Sequence, residues 1–213
     1  MNQHYTRPIP PHATGLRGLR ERGFNMIELM VGLALLALVM FVAIPSLTTW
    51  MRGNQVRAAT ESIQGAVQSA RAEAVRRNAN VEVVLTSLEG GGTGVDWRVR
   101  CVAANASATC PGPGQGADGQ GVTYIEQGLS ADSSPRAVVS VVPAATTAIT
   151  FNGIGRVTPL PAGNIQIDVA HDGAACISAG GDVRCLRLII APGGQSRMCD
   201  PSLPAPPANS RGC

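Results

Sequence analysis

Residues 23–45 read Gly-Phe-Asn-Met-Ile-Glu-Leu-Met-Val-Gly-Leu-Ala-Leu-Leu-Ala-Leu-Val-Met-Phe-Val-Ala-Ile-Pro. Between Phe24 and Ile44, only Asn25 and Glu28 carry polar side chains. At about 1.5 Å per residue, this segment forms a helix roughly 32 Å long, which is enough to cross the hydrocarbon core of a membrane. A carboxylate in such a segment is unfavourable in lipid, so we expect Glu28 to have a partner. The alternative is an ordinary membrane anchor that tolerates an acid near the interface.

The order Gly23, Phe24 and then Glu28, placed before an apolar run, resembles the cleavage and assembly signal of type IV prepilins and pseudopilins. The resemblance implies that an inner-membrane prepilin peptidase cuts after Gly23 and methylates the new N-terminal residue, Phe24. Glu28 would then be mature residue five, the position at which this family carries a Glu. Pro45 would be mature residue 22, where the family often has a helix-kinking Pro. The resemblance therefore assigns Glu28 and Pro45 to assembly.

These features divide the chain into a leader (1–23), a transmembrane and assembly helix (24–50) and an exported domain (51–213) with a Pro-rich tail (201–213). Basic residues cluster in the leader, just before the apolar run, and by the positive-inside tendency they keep the leader cytoplasmic. We therefore expect a single-pass protein of the bacterial inner membrane with a periplasmic C-terminal domain, later part of a pilus or pseudopilus. A conventional secretory signal would need a shorter apolar core and a small-residue cleavage site.

The basic character of the precursor belongs to the leader. All 17 basic residues are Arg, against 14 acids. Without the four Arg residues and Glu21 of the leader, 13 Arg face 13 acids. The sequence pI of about 8.7 is therefore no argument for a nucleic-acid partner.

Six Cys residues follow the apolar run, and an even number in an exported chain predicts three disulfides. The residues are Cys101, Cys110, Cys176, Cys185, Cys199 and Cys213. We expect the local pairs 101–110, 176–185 and 199–213, because each closes a short loop rich in Gly, Ala, Ser or Pro; pairing of Cys185 with Cys199 across a hairpin is the alternative. No C-x-x-C occurs, so we expect no zinc site, no other metal and no cofactor.

Beyond the apolar run, the pattern predicts an α+β fold. Apolar residues recur every three or four positions from Val56 to Ala74, which is one face of a helix, and Glu73 and Arg77 have the spacing of an ion pair. Short strands separated by Gly/Pro turns follow. They are predicted at 81–88, 97–102, 122–126, 137–142, 148–151, 156–158, 165–170 and 183–190, with a turn at 89–94 and a loop at 112–121. We expect a pilin-like arrangement, in which the amphipathic half of a long N-terminal helix packs on an antiparallel sheet.

Two further stretches resemble the GspH/FimT branch of pseudopilins and minor pilins. Residues 70–78, leading into Val81, resemble the helix-to-strand junction of that branch. Residues 149–157, Ile-Thr-Phe-Asn-Gly-Ile-Gly-Arg-Val, resemble its F-x-x-x-G-R strand and turn. With the prepilin signal, the resemblance touches both halves of the chain.

Catalytic chemistry is not indicated. His171 is the one His after the leader, and beside Asp172-Gly173 it is expected to be a solvated turn residue. Without a second His or a free Cys, neither a metal triad nor a Cys-His pair is predicted. The Gly-rich loop at 90–94 lacks the Lys of a phosphate-binding loop. We therefore do not expect an enzyme.

Three functions are compatible with these features. The first is a structural subunit of a type IV pilus, with prepilin peptidase, other pilins or pseudopilins and inner-membrane lipid as partners. The second is a pilus-associated receptor for DNA uptake, since the FimT group carries a basic G-R-x-R stretch. Here that place reads Gly194-Gln195-Ser196-Arg197, so the first Arg is missing. The third is a pseudopilin of type II secretion.

For the DNA receptor, the candidate residues are Arg197, then Arg187 and Arg184. The i, i+3 spacing of Arg184 and Arg187 predicts opposite faces of a strand, so only one of them could join Arg197. Scattered surface Arg residues are the alternative interpretation. DNA is therefore the least supported of the expected partners.

Overall fold

The structure is a computed structural model that describes residues 25–86, 88, 94–102, 124–132, 134–144 and 146–213; residues 42–46 are described by their backbone alone. Gly23, Phe24, Cys110, the turn at 89–93 and the loop at 112–121 lie outside the described residues. Two compact units are present, one ending at Ala43 and the other spanning Ile44–Cys213.

One long helix, α1, runs over Met26–Arg77. In the first unit, every described side chain from 25 to 41 is exposed. None of the helices in the described part of the chain is long and apolar enough to cross a membrane. In the second unit, the predicted apolar face is fully buried, which confirms the amphipathic half of the helix; it comprises Val56, Ala59, Ile63, Val67, Ala70 and Ala74, together with Ala66.

In the described part of the chain, eight strands form two antiparallel sheets of four strands each. The first sheet has the order β3-β2-β1-β5 and contains β1 (Val81–Leu85), β2 (Trp97–Cys101), β3 (Glu126–Gly128) and β5 (Ala148–Phe151). The second has the order β4-β6-β7-β8 and contains β4 (Ala137–Val142), β6 (Ile165–His171), β7 (Leu186–Ile190) and β8 (Ser196–Cys199). Short 3₁₀ turns lie at Ser130–Asp132 and Ile177–Ala179. The inner faces of both sheets and the buried face of α1 share one core, so the predicted α+β fold is confirmed.

Several strand boundaries differ from the predictions, and one strand was not predicted. The strand predicted at 122–126 is, in the described residues, β3 over Glu126–Gly128. The predicted strand at 156–158 is a single bridge from Val157 to Phe151, and the following Pro159 has no N–H to continue a ladder. The strand predicted at 183–190 begins at Leu186, because Val183 bridges back to Cys176 within a disulfide loop. Strand β8 was not predicted, since four residues following a Gly-Gly turn show too little alternation.

His171 is buried, which corrects the prediction of a solvated turn residue. Strand β6 extends one residue further than predicted, and its alternating burial turns His171 inward opposite Ala137. The side chain is only 6% exposed, and its Nδ1 makes no hydrogen bond in the part of the chain that the structure describes. His171 is therefore a core residue of the second sheet.

Candidate functional site

Glu28, the predicted assembly residue, lies in the first turn of α1 and is exposed. A carboxylate at this end of a helix interacts favourably with the unpaired N–H groups of the first turn. The backbone of Pro45 lies within α1. Because Gly23 and Phe24 are outside the described residues, the predicted cleavage site stays a prediction.

The F-x-x-x-G-R stretch forms a tight turn on α1. Phe151 is fully buried, and the Asn152 Oδ1 accepts hydrogen bonds from the N–H groups of Ile154 (3.2 Å) and Arg156 (3.0 Å). Gly155 has φ of +75°, a conformation that L-residues with side chains adopt at a cost. The turn therefore buries its Phe and leaves Arg156 exposed.

Arg71 of α1 joins two turns that are distant in the sequence. Its Nε donates a hydrogen bond to the Gly155 carbonyl at 3.1 Å. Gly194, between β7 and β8, has φ of +83°, and a Cβ added there would overlap the same Gly155 carbonyl oxygen. Gly155 of the F-x-x-x-G-R stretch and Gly194 of the Gly-Gln-Ser-Arg stretch therefore lie against each other, next to Arg71 of α1. Each motif was visible in the sequence, but nothing in it indicated that they touch.

An ion-pair cluster stabilises the end of α1. The Glu73 carboxylate accepts hydrogen bonds from Arg76 (Nη2, 2.6 Å) and from Arg77 (Nε, 2.7 Å), which confirms the predicted pair with Arg77. The pKa of Glu73 lies below its ordinary value, and the hydrogen bond from Arg76 is the largest cause. Partial burial acts in the opposite direction. The hydrogen bond from Arg77 and the positive charges of both Arg residues lower the pKa further. Asn78 follows with φ of 48° and ends the helix in the left-handed region.

This cluster predicts a loss of stability in acid. Because the folded-state pKa of Glu73 is lowered, its contribution is complete above the ordinary glutamate pKa of about 4.3 and is lost as the pH falls through the folded-state value. We expect Glu73→Gln to lower the free energy of unfolding by about 1–2 kcal/mol at pH 7 and to have less effect below that window. Urea unfolding from pH 7 to pH 3 measures both.

The matched control is Glu61→Gln, because Glu61 pairs with Arg57 in the same helix but both side chains are more than half exposed. Such a pair contributes at most about 1 kcal/mol. Equal effects of the two substitutions at pH 7 would show that the Glu73 cluster is no stronger than an ordinary surface pair.

The three predicted DNA-binding Arg residues do not form one patch of free charge. Arg187 binds Asp168 through two nitrogens (2.6 and 3.1 Å), and the Nε of Arg184 lies 3.1 Å from the Asp200 carboxylate. Arg197 is exposed, and its Nη1 contacts the Gly212 carbonyl at 3.5 Å.

The predicted placement of Arg184 in a strand was wrong, whereas the prediction that only one of Arg184 and Arg187 joins Arg197 agrees with the structure. Arg184 precedes β7 rather than lying in it. Arg197 pairs with Ile189, two residues from Arg187, so Arg187 and Arg197 share the outer face of the second sheet.

Two of the predicted disulfides are present, Cys176–Cys185 and Cys199–Cys213. Both confirm the local pairing rather than the alternative of Cys185 with Cys199. Cys101 is also disulfide-bonded, but Cys110 lies outside the described residues, so its pairing stays a prediction. Among the described residues, no Cys is free.

A groove of about 1010 Å³ lies between α1 and the two disulfide loops. Its lining includes Trp50, Arg57, Arg184, Met198 and Asp200. Asp200 is 4% exposed and faces Arg184, so the acid is neutralised within the groove. No cluster of three metal-ligating side chains occurs in the described ranges.

Residues 59–194 match the family described as Type II transport protein GspH. The chain belongs to this family. The match begins in the buried face of α1 and ends at Gly194, so it contains the Arg71 junction in full. No curated protein matches the chain.

Two solved structures are similar, and both are of the type IV minor pilin FimU from Pseudomonas aeruginosa PAO1. The P21 crystal form has a TM-score of 0.48 at 16% identity, covering 72% of this chain and 94% of FimU. The P65 form has a TM-score of 0.47 at 16% identity, covering 71% and 97%.

Proposed function

We propose that this GspH-family protein is a minor pilin or pseudopilin, a structural subunit that is processed, N-methylated and packed with other pilins in a fibre. The observation that carries the proposal is the place of Glu28, in the first turn of α1, after Gly23-Phe24 and before the apolar run. Membership of the GspH family supports the same role. The proposed assembly segment is 24–50, and the proposed exported domain is 51–213.

Exposure of the first unit favours lateral packing. Every described side chain from 25 to 41 is exposed, although nearly all are apolar, and an apolar surface of this extent calls for a covering partner. Once neighbouring helices and lipid exclude water, the Glu28 carboxylate becomes costly unless a cation offsets it. The methylated amine of a neighbouring subunit's Phe24 would supply that cation.

Anchoring in the inner membrane before assembly is part of the proposal. Residues 33–44 carry no polar side chain, and the leader holds four Arg residues. The lipid contact would last until the peptidase has acted and the subunit joins a fibre. Carbonate extraction of bacterial membranes tests this step, because release of the full-length precursor into the soluble fraction would contradict an anchor.

Substitution of Glu28 by Val tests the structural role. We expect the variant to be cut after Gly23 and methylated on Phe24 like the parent, since the change lies beyond the cleavage site. We expect its incorporation into fibres to fall below detection, because the neighbouring amine loses its partner. Mass spectrometry of the mature N-terminus and immunoblots of purified fibres measure the two steps separately.

Glu61→Val is the matched control, because it removes an exposed acid from the same helix outside the proposed assembly segment. It should reach the fibre at the parental level. Normal incorporation of Glu28→Val would mean that Glu28 is an incidental acid. A mature N-terminus elsewhere than Phe24 would contradict the prepilin assignment itself.

The proposal includes two machines, a type IV pilus and a type II secretion pseudopilus. Both use a subunit with this helix and domain arrangement, so a deletion strain scored for piliation and for protein secretion separates them. The arginine pairing does not favour a DNA receptor, because carboxylates neutralise Arg187 and Arg184.

A further inference from the structure

The second sheet leaves one of its edges uncovered in the described part of the chain. Strand β4 is the terminal strand of the order β4-β6-β7-β8 and pairs with β6 alone. It reads Ala-Val-Val-Ser-Val-Val and has neither a charge nor a Pro. Soluble proteins usually protect such an edge, because its free N–H and C=O groups can pair with another strand.

The other sheet edges are protected. Strand β3 has three residues and carries Glu126. Residues 156–158 fold back along strand β5, and the Thr158 N–H donates a hydrogen bond to the Thr150 carbonyl at 2.9 Å. Strand β8 is flanked by the C-terminal tail, since Asp200 bridges to Gly212 and a disulfide joins Cys199 to Cys213. Strand β4 is therefore the exception.

The hydrogen-bond pattern identifies which groups of β4 are open. The Asp172 N–H donates to the Arg136 carbonyl, so alternate residues counted from Arg136 turn toward β6. Ala137 turns the other way, and its carbonyl accepts a hydrogen bond from Gly94 at 2.8 Å. Val139 and Val141 have the same orientation as Ala137, and among the described residues no backbone group contacts their outward N–H and C=O groups.

The residues of β4 are self-complementary. Positions 138–142 read Val-Val-Ser-Val-Val, which is the same in both directions. If a second copy of β4 pairs antiparallel about Ser140, Val139 lies opposite Val141 of the other copy and both exchange two hydrogen bonds. On the outer face, Val138 (39% exposed) lies opposite Val142 (51% exposed), and the two Ser140 residues meet at the two-fold axis.

The ends of the strand limit this ladder to those residues. Pro143 has no N–H and would lie opposite Ala137, whose outward groups are already bonded to Gly94 and Ser134. No unpaired like charges face each other, because Arg136 lies beyond the ladder and pairs with Asp172, and Asp168, opposite Ser140 on β6, pairs with Arg187. A two-fold contact uses the same patch on both subunits, and this strand meets that requirement.

We propose that the open edge of β4 is a docking surface for β4 of a second copy of this chain, in an antiparallel contact centred on Ser140. The contact joins the second sheets of two subunits into one eight-stranded sheet. It is separate from the fibre contacts proposed for residues 24–50, so a variant that fails in one need not fail in the other.

Single-cysteine substitutions, each of which adds one thiol to the six native Cys residues, test the register in the full-length protein in membranes. Ser140→Cys places two thiols at a non-hydrogen-bonded pair, where Cα atoms about 4.5 Å apart suit a disulfide. We expect mild oxidation to give about tenfold or more disulfide-linked dimer than in Val138→Cys or Val142→Cys. Those two are matched controls, because position 138 of one copy lies opposite position 142 of the other copy, so two identical variants do not bring their added thiols together.

Co-expression of Val138→Cys with Val142→Cys should restore the linked dimer, although neither variant forms it alone. Ser140→Lys places two ammonium groups at the two-fold axis and should reduce chemical cross-linking of the otherwise unchanged protein, whereas Ser140→Thr should not. Equal linkage in all three single-cysteine variants, a monomer in Ser140→Cys, or linkage to a different protein would overturn the proposal.

Discussion

Substitution of Gly194 by Ala is expected to lower the free energy of unfolding by about 3 kcal/mol or more. A side chain at φ of +83° adds strain of about 1–3 kcal/mol, and overpacking adds a similar amount. The overlap is with the Gly155 carbonyl oxygen, which is backbone and already accepts the hydrogen bond from Arg71. A side-chain rotation cannot relieve the overlap, because the atom in the way belongs to the backbone. Moving the turns apart would break the hydrogen bond from Arg71.

Urea unfolding of the purified protein measures this effect, with Gly65→Ala as the matched control. Gly65 lies inside α1, and a Cβ there meets nothing within 4 Å. Its replacement by Ala should stabilise the protein by about 0.5–1 kcal/mol, because it removes backbone freedom from the unfolded chain. Opposite signs for the two Gly→Ala changes are the expected result, and equal signs would contradict the Arg71 junction.

Joint replacement of Cys199 and Cys213 by Ser is expected to lower the free energy of unfolding by about 2–5 kcal/mol. The bond closes a loop of 14 residues and holds the tail against β8. The tail contains four Pro residues. Besides the disulfide, its described links to β8 are the bridge from Asp200 to Gly212 and the 3.5 Å contact of Arg197 with the Gly212 carbonyl, all close to Cys213, so little else retains the tail once the bond is lost. The unpaired edge of β8 should then be exposed as well.

Thermal unfolding and limited proteolysis of the double variant test this prediction. The double Ser variant of Cys176 and Cys185 is the comparison, because its loop of nine residues lies away from the C-terminus. We expect new cleavage within 201–213 only when Cys199 and Cys213 are replaced. An unchanged melting temperature and an uncut tail would mean that packing, rather than the disulfide, holds the tail in place.

Local patterns predicted the features that depend on residues near each other in the chain. The step of three to four residues from Val56 to Ala74 identified the buried face of α1. The spacing of Glu73 and Arg77 identified their ion pair, and short Cys spacings identified two disulfides. In each case the deciding interaction closes within one helix face or one short loop, so sequence distance is a good guide to spatial distance.

Predictions that needed a distant partner were less successful. His171 was expected in solvent because Asp172-Gly173 follows it, but one further pair with Ala137 extended β6 and turned the ring inward. Arg187 and Arg184 were candidates for DNA binding, but Asp168 and Asp200 neutralise them. The burial of His171 and the pairing of Arg187 with Asp168 depend on strand register, because a shift of one residue reverses the face of every side chain. The pairing of Arg184 with Asp200 depends on how the chain packs just outside β7 and β8.

By itself, the sequence determined the long helix, its apolar face, the α+β class, two local disulfides and the motifs that point to the GspH family. Only the tertiary structure decided that Arg71 meets Gly155, 84 residues away, and that Gly194 closes on the same carbonyl. It also decided that β4 is the edge of its sheet. The physical reason is that periodicity records which side of an element is apolar, whereas strand order and register depend on the whole core at once.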